Sequence, residues 1–178
     1  MSTVTPLARH VLDTLRPIPN YPKPGIIFQD ITPVLRDGGL FHTVVEEMAE
    51  PFRSMDITHV VGVEARGFIL GGAVATSLRA GFVPARKPGK LPWERLAESY
   101  QLEYGEDALE CHRDGLPAPA RVVVVDDVLA TGGTARAAGD LVRKLGAELV
   151  GWSFLLEIAG LGGMERLQGA RVHVLARR

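Results

Sequence analysis

The sequence predicts an α/β domain, a doubly wound and mainly parallel sheet with helices on both faces. Short runs that are apolar throughout, such as Val122–Val125, alternate with stretches of helical periodicity. Strands covered on both faces need no polar alternation, so this grammar points to a parallel sheet. Each run also leads through a polar or glycine-rich turn into the next helix. The 178 residues, 46% of them hydrophobic, suffice for one buried core, and no repeat or linker divides them. A single domain spanning 1–178 is expected.

The elements follow in order. Val4, Leu7, Ala8, Val11, Leu12 and Leu15 recur at helical spacing. That helix should stop near Pro17, because Pro17, Pro19, Pro22, Pro24 and Gly25 make the next stretch an irregular arm. Helix and arm, residues 1–35, form a small N-terminal hood. Phe41, Val44, Val45, Met48 and Phe52 mark a second helix. Ile57–Val63 reads as a strand, followed by Glu64-Ala65-Arg66-Gly67 and a helix through about Leu78. Phe82–Ala85 is a short strand, Arg121–Val125 a longer one and Thr134–Leu145 the helix after it. Glu148–Leu156 and Arg171–Leu175 complete the strands. Residues 87–114 are polar, long and dotted with glycine, the pattern of a mobile functional loop. Within them Tyr100, Leu102 and Tyr104 alternate, which predicts a hairpin with Leu109–His112 and turns Glu103 to the opposite face.

Composition narrows the function classes. A formal net charge of −1 is not that of a protein built to lie on a nucleic-acid backbone. The single cysteine, Cys111, cannot form an internal disulfide. The apolar runs are too short to span a bilayer, and the first residues have helix-like polar spacing rather than that of a signal peptide. A cytoplasmic protein without membrane or nucleic-acid partners is expected.

The strongest chemical signal is Val122–Val125 followed by Asp126-Asp127, Val128-Leu129 and Ala130-Thr131-Gly132-Gly133-Thr134. In an open α/β sheet the ligand sits outside the carboxyl ends of the strands. Here a buried strand delivers two carboxylates to that end, and a small-residue loop enters a helix. Backbone N–H groups, the helix N-terminus and two threonine hydroxyls can then converge on a phosphate. The loop is neither a Walker loop nor a dinucleotide fingerprint. The acid pair would accept hydrogen bonds from vicinal hydroxyls, so a ribose bearing a phosphate fits both halves. Glu64-Ala65-Arg66-Gly67, at a neighbouring strand end, offers amides and a guanidinium to a polyanion. Arg86, Lys87 and Lys90 place three cations in five residues at another strand exit, where a departing diphosphate would need positive charge.

These strings resemble the type I phosphoribosyltransferases. With Pro22–Pro33, Arg86–Pro92 and Glu103-Tyr104-Gly105 added, the chain is similar from about Ile18 to Glu157 to the adenine-using branch of that family. The resemblance implies transfer of a phosphoribosyl group from phosphoribosyl pyrophosphate (PRPP) to adenine, with magnesium held mainly through PRPP rather than by protein ligands, in a homodimer. It assigns Asp126 and Asp127 to the ribose, and Ala130, Thr131, Gly132, Gly133 and Thr134 to the 5-phosphate. Glu64, Ala65, Arg66, Arg86, Lys87, Lys90 and Tyr104 would serve the pyrophosphate. Ile27 would offer its backbone to the purine edge, with Phe28, Gln29 and Leu156 around the ring. Glu103 would be the acid/base residue and Arg66 a second catalytic group. Relatives often carry a basic residue where this chain has Gln29, which could pack over the base only through its amide. Two other uses share the PRPP string: transfer to a different base, and PRPP sensing by a regulator. A purely structural use of the fold is a third alternative.

Overall fold

The computed structural model describes residues 4–101 and 106–178, with the side chains of Gln101 and Glu106 set aside. Helix α1 (Pro6–Thr14) begins with Thr5 Oγ1 accepting from the Ala8 N–H at 3.1 Å and with Pro6 at the first helical position. The arm is irregular through residues 20–26, as expected, but its two ends pair as a ribbon. Strands β1 (Arg16–Pro19) and β2 (Ile27–Asp30) pair antiparallel, with Arg16 opposite Asp30. Antiparallel pairing needs ladder bonds only from alternate residues, and Pro17 and Pro19 share one phase of that alternation. A short α2 (Thr32–Arg36) was not expected. Helix α3 (Gly38–Ala49) is capped by Asp37, whose carboxylate accepts from the Gly39 and Leu40 N–H groups at 3.0 Å, and a 3₁₀ turn at Glu50–Phe52 ends it.

The central sheet contains β3 (His59–Val63), β4 (Gly81–Ala85), β7 (Arg121–Leu129), β8 (Glu148–Glu157) and β9 (Arg171–Arg177) in the order β4-β3-β7-β8-β9, all parallel. Helix α4 (Arg66–Leu78) joins β3 to β4, α5 (Gly133–Lys144) joins β7 to β8, and the short α6 (Gly163–Arg166) precedes β9. The period of two in each strand divides the core into two. Val61, Val63, Val122 and Val124 pack with α5, whereas Val60, Val123 and Val125 pack with α1, α3 and α4. Both faces are therefore covered, as the unbroken valine run implies. From β3 the chain proceeds outward to β4, and from β7 it proceeds the other way to β8 and β9. The order thus reverses between β3 and β7, where open α/β sheets leave a crevice.

Residues 87–114 contain the hairpin expected between the Tyr100 stretch and Leu109–His112, with its first strand beginning earlier, at Arg95. Strands β5 (Arg95–Gln101) and β6 (Glu106–His112) pair antiparallel, and Tyr100, Leu109 and Cys111 are buried in the α5-side core. Reciprocal backbone bonds of 2.9 and 2.7 Å between Arg86 and Glu110 tie this hairpin to the exit of β4. Glu103 and Tyr104 lie outside the described residues. Strand β7 also runs further than expected, to Leu129, because β8 continues beside it: Asp126 pairs with Phe154 and Leu129 with Glu157. The acid pair is therefore held in a strand rather than in a turn. No helix among the described residues is long and apolar enough to cross a membrane.

Phe154 has no exposed surface. Truncation to alanine leaves a cavity that close packing cannot refill, so Phe154→Ala should lower unfolding free energy by about 3–5 kcal/mol. Urea denaturation followed by circular dichroism measures this; a loss under ~1 kcal/mol would contradict the packing described.

Candidate active site

The crevice between β3 and β7 brings two loops together, and glycine makes the approach possible. A Cβ at Gly67 would lie 2.8 Å from Asp126 Oδ1 and 2.9 Å from the Val125 carbonyl. The start of α4 therefore rests directly on the end of β7. Gly132 has φ +80°, a left-handed value that favours glycine, and turns the chain into α5.

Asp126 lines a cavity of about 80 Å³ together with the loop Ala130–Thr134. Among the described residues the hydroxyls of Thr131 and Thr134 have no partner within the protein, so both are free for a ligand. Burial, then the neighbouring charge of Asp127, pushes the Asp126 carboxyl well above the usual carboxylate range. Asp127 is 4% exposed and forms an ion pair with Arg66 Nε. Burial works against the charge of Arg66, but Asp127, then Asp126 and Asp30, outweigh it and raise its pKa. The same guanidinium stands 5.2 Å from the centre of the Phe28 ring. Arg66 thus joins the acid pair to the apolar arm.

The remaining cations gather at adjacent strand ends. Glu64 accepts from Arg86 Nη2 at 3.0 Å and from the Lys87 N–H at 2.9 Å, and these bonds hold its pKa below the ordinary value. The Glu64 carboxylate, expected at the pyrophosphate, is turned to Arg86. The Glu64–Ala65 peptide is cis. Lys87 Nζ donates to Asp107 and, at 2.8 Å, to the Tyr100 hydroxyl. Burial opposes its charge, yet Asp107 and Tyr100 raise its pKa. Lys90 contributes its carbonyl to Arg86 Nη1 at 3.1 Å.

Beside Arg66 opens a cavity of about 430 Å³ lined by Ile18, Tyr21, Pro22, Phe28, Asp30 and Arg66. Tyr21 meets Phe28 edge to face at 5.2 Å, so the ring is already oriented by the ribbon. Ile27 is 60% exposed beside it, and its carbonyl accepts from Gln29 Nε2 at 3.3 Å. Two residues expected around the ring, Gln29 and Leu156, are buried and do not line this cavity. Gln29 is buried, and its Oε1 accepts from Arg178 Nη1 at 3.1 Å. Successive strand residues face opposite ways, so Gln29 cannot lie over the face Phe28 presents. Leu156 has no exposed surface and belongs to the α3/α4-side core, because β8 continues as a covered strand past it.

Ile18, Tyr21, Pro22 and Asp30 are cavity residues that the sequence alone did not single out. For Asp30 a signal existed in Asp-x-Thr, the spacing of a local side-chain turn. Its Oδ1 accepts from the Thr32 N–H at 2.9 Å, and its Oδ2 from Arg16 Nε at 2.9 Å and Thr32 Oγ1 at 2.8 Å. The Thr32 amide first, then Arg16 and the Thr32 hydroxyl, hold its pKa at about 2 despite burial.

Residues 36–161 match the family model of the phosphoribosyl transferase domain. A curated adenine phosphoribosyltransferase of Myxococcus xanthus (strain DK1622) is 56% identical over 173 residues, 97% of this chain and 94% of that protein. The crystal structure of adenine phosphoribosyltransferase from Rhodothermus marinus DSM 4252 superposes with a TM-score of 0.93 at 50% identity, covering 97% of this chain and 98% of that one. The Saccharomyces cerevisiae enzyme, complexed with adenine and D-2,5-dideoxy-2,5-imino-altritol 1,6-bisphosphate, superposes at 0.89 with 40% identity, covering 95% and 98% of the two chains.

Asp30 makes acid stability sensitive to its partners. Its folded pKa lies below its ordinary 3.8, so its contribution is present above about pH 4 and is lost as pH falls toward about 2. Asp30→Asn should reduce stability at neutral pH and flatten the pH dependence across that window. Acid titration by circular dichroism tests this; an acid limb identical to that of wild type would refute the assignment.

Proposed function

The chain belongs to the adenine phosphoribosyltransferases of the phosphoribosyl transferase family, and from that membership we propose that it transfers the 5-phosphoribosyl group of PRPP to adenine, forming AMP and pyrophosphate in purine salvage. The observation that carries this reading is the cavity shared by Asp126 and the loop Ala130–Thr134, with the Phe28 pocket joined to it through Arg66. A sugar with a phosphate at one end and a purine at the other matches that sequence of surfaces.

The loop amides and the free Thr131 and Thr134 hydroxyls bind the 5-phosphate, while Asp126 and Asp127 accept from the ribose hydroxyls. Arg66 exchanges Asp127 for the diphosphate, which also uncovers the Phe28 ring. Adenine then stacks on Phe28 with its edge toward the Ile27 backbone. As the bond from the anomeric carbon to the diphosphate breaks, positive charge develops on the sugar and negative charge on the leaving group. The acid pair stabilises the first; Arg66, Arg86, Lys87 and Lys90 stabilise the second. N9 of adenine forms the new bond, and its proton passes to Glu103. The β5–β6 hairpin, fastened beside these cations, would help to exclude water from the sugar.

Magnesium prefers hard oxygen donors. Asp126 and Asp127 supply such oxygens at the crevice. Both would face a magnesium ion that enters with PRPP, and such an ion would neutralise charge on the leaving group. We also propose a cytoplasmic location and a homodimer, the latter supported by the exposed apolar side chains of Ile69, Phe82 and Trp93.

Adenine, PRPP and magnesium should yield AMP detectable by mass spectrometry, with guanine and hypoxanthine giving little product. Asp126→Asn/Asp127→Asn should lower kcat/KM about 100-fold or more. AMP formation at the normal rate by that variant would overturn the site. Glu103→Gln should lower kcat at least ~100-fold with the KM for PRPP nearly unchanged; an unaltered kcat would remove Glu103 from the scheme.

A further inference from the structure

Helix α5 carries a charge that runs against its own dipole. Arg143 and Lys144 occupy its last turn, where cations are favourable. Arg136 stands at the opposite end, four residues after Gly132 and in an opening turn without an acidic residue. Its one ion-pair partner, Asp140, is 3.6 Å away and is bonded more closely, at 2.9 Å, by Arg143. Across from it, Arg166 of α6 makes no ion pair or side-chain hydrogen bond among the described residues. Both arginines line a cavity of about 340 Å³ that also takes in Gly133 of the phosphate loop. The loop lies close to Arg166, since a Cβ at Gly132 would be 3.3 Å from the Arg166 Cβ. The carboxylates of that cavity are engaged: Glu98 by Lys144 and Asp140 by Arg143. Glu165, which has no ion pair among the described residues, lines only the adjoining outer cavity. Both arginines therefore border a cavity that shares Gly133 with the cradle.

We propose that Arg136 and Arg166 form a cationic collar that captures the 5-phosphate end of the phosphoribosyl substrate and seats it in the backbone cradle. The collar rests on the proposed function, whose cradle it extends. Guanidiniums donate in pairs to phosphate oxygens, and their attraction reaches beyond contact distance at low salt. A cation in the first turn of α5 opposes the helix dipole, and the dianionic phosphate offsets that cost.

The test is isothermal titration of two ligands, ribose 5-phosphate and magnesium pyrophosphate, into wild type and Arg136→Gln/Arg166→Gln. The Kd of ribose 5-phosphate should rise about tenfold and lose much of its salt dependence, as expected for removal of charge-assisted phosphate contacts. The Kd of pyrophosphate should stay within about twofold, because that end of the substrate is served by other cations. Arg136→Lys/Arg166→Lys should keep most of the affinity for ribose 5-phosphate, which separates lost charge from lost fold. Unchanged ribose 5-phosphate binding, or equal weakening for both ligands, would overturn the collar. A wild type that makes AMP but shows either of those results leaves the function standing without it. A wild type that makes no AMP and binds neither ligand overturns the function itself.

Discussion

The parallel pairing of β3 with β7 is the constraint on which the site depends. In-register alignment of Val60 with Val123 and of Gly62 with Val125 ends both strands at the same edge. Because the chain leaves these strands in opposite directions, no connection covers the space between them. Glu64–Gly67 and Asp126–Thr134 therefore emerge side by side, one with a guanidinium and one with two carboxylates. Gly67 allows these segments into contact, and any side chain there would collide with Asp126.

Electrostatic balance at this edge is reached inside the protein before any ligand binds. Arg66 answers Asp127, Arg86 answers Glu64 and Lys87 answers Asp107. Each cation proposed for the diphosphate except Lys90 thus has an internal anion to hold it in place. An anionic ligand can replace those partners without a large reorganisation, since the cations are already charged and partly desolvated. The same balance keeps buried charge from destabilising the fold. Arg66 carries the most of this load, because its ring contact with Phe28 couples the charged crevice to the apolar pocket.

The N-terminal ribbon and the hairpin act as walls around the sheet edge. Arg16 and Asp30 fasten β1 to β2 and so fix Phe28, while the Arg86–Glu110 bridge fastens the hairpin beside the cations. Both walls are tied by contacts between residues distant in the sequence. That explains why the ribbon was the least legible part of it. Proline density made 17–25 read as irregular, although Pro17–Pro19 belong to a strand that pairs with Ile27–Asp30, whereas the alternation about Tyr100 did disclose the hairpin within 87–114.

The amino-acid sequence by itself determined the covered parallel sheet, because Val122–Val125 is buried on both faces and tolerates no polar alternation. It also disclosed the loop proposed for the phosphate, since Ala130–Thr134 is built of side chains too small to block its own amides. Side-chain direction was decided only by the tertiary structure. Gln29 turns to Arg178, Leu156 sinks into the core and Asp127 meets Arg66, because each outcome depends on a partner far along the chain. Local propensity sets which element forms. Which of its faces meets the ligand is fixed by what packs against the other.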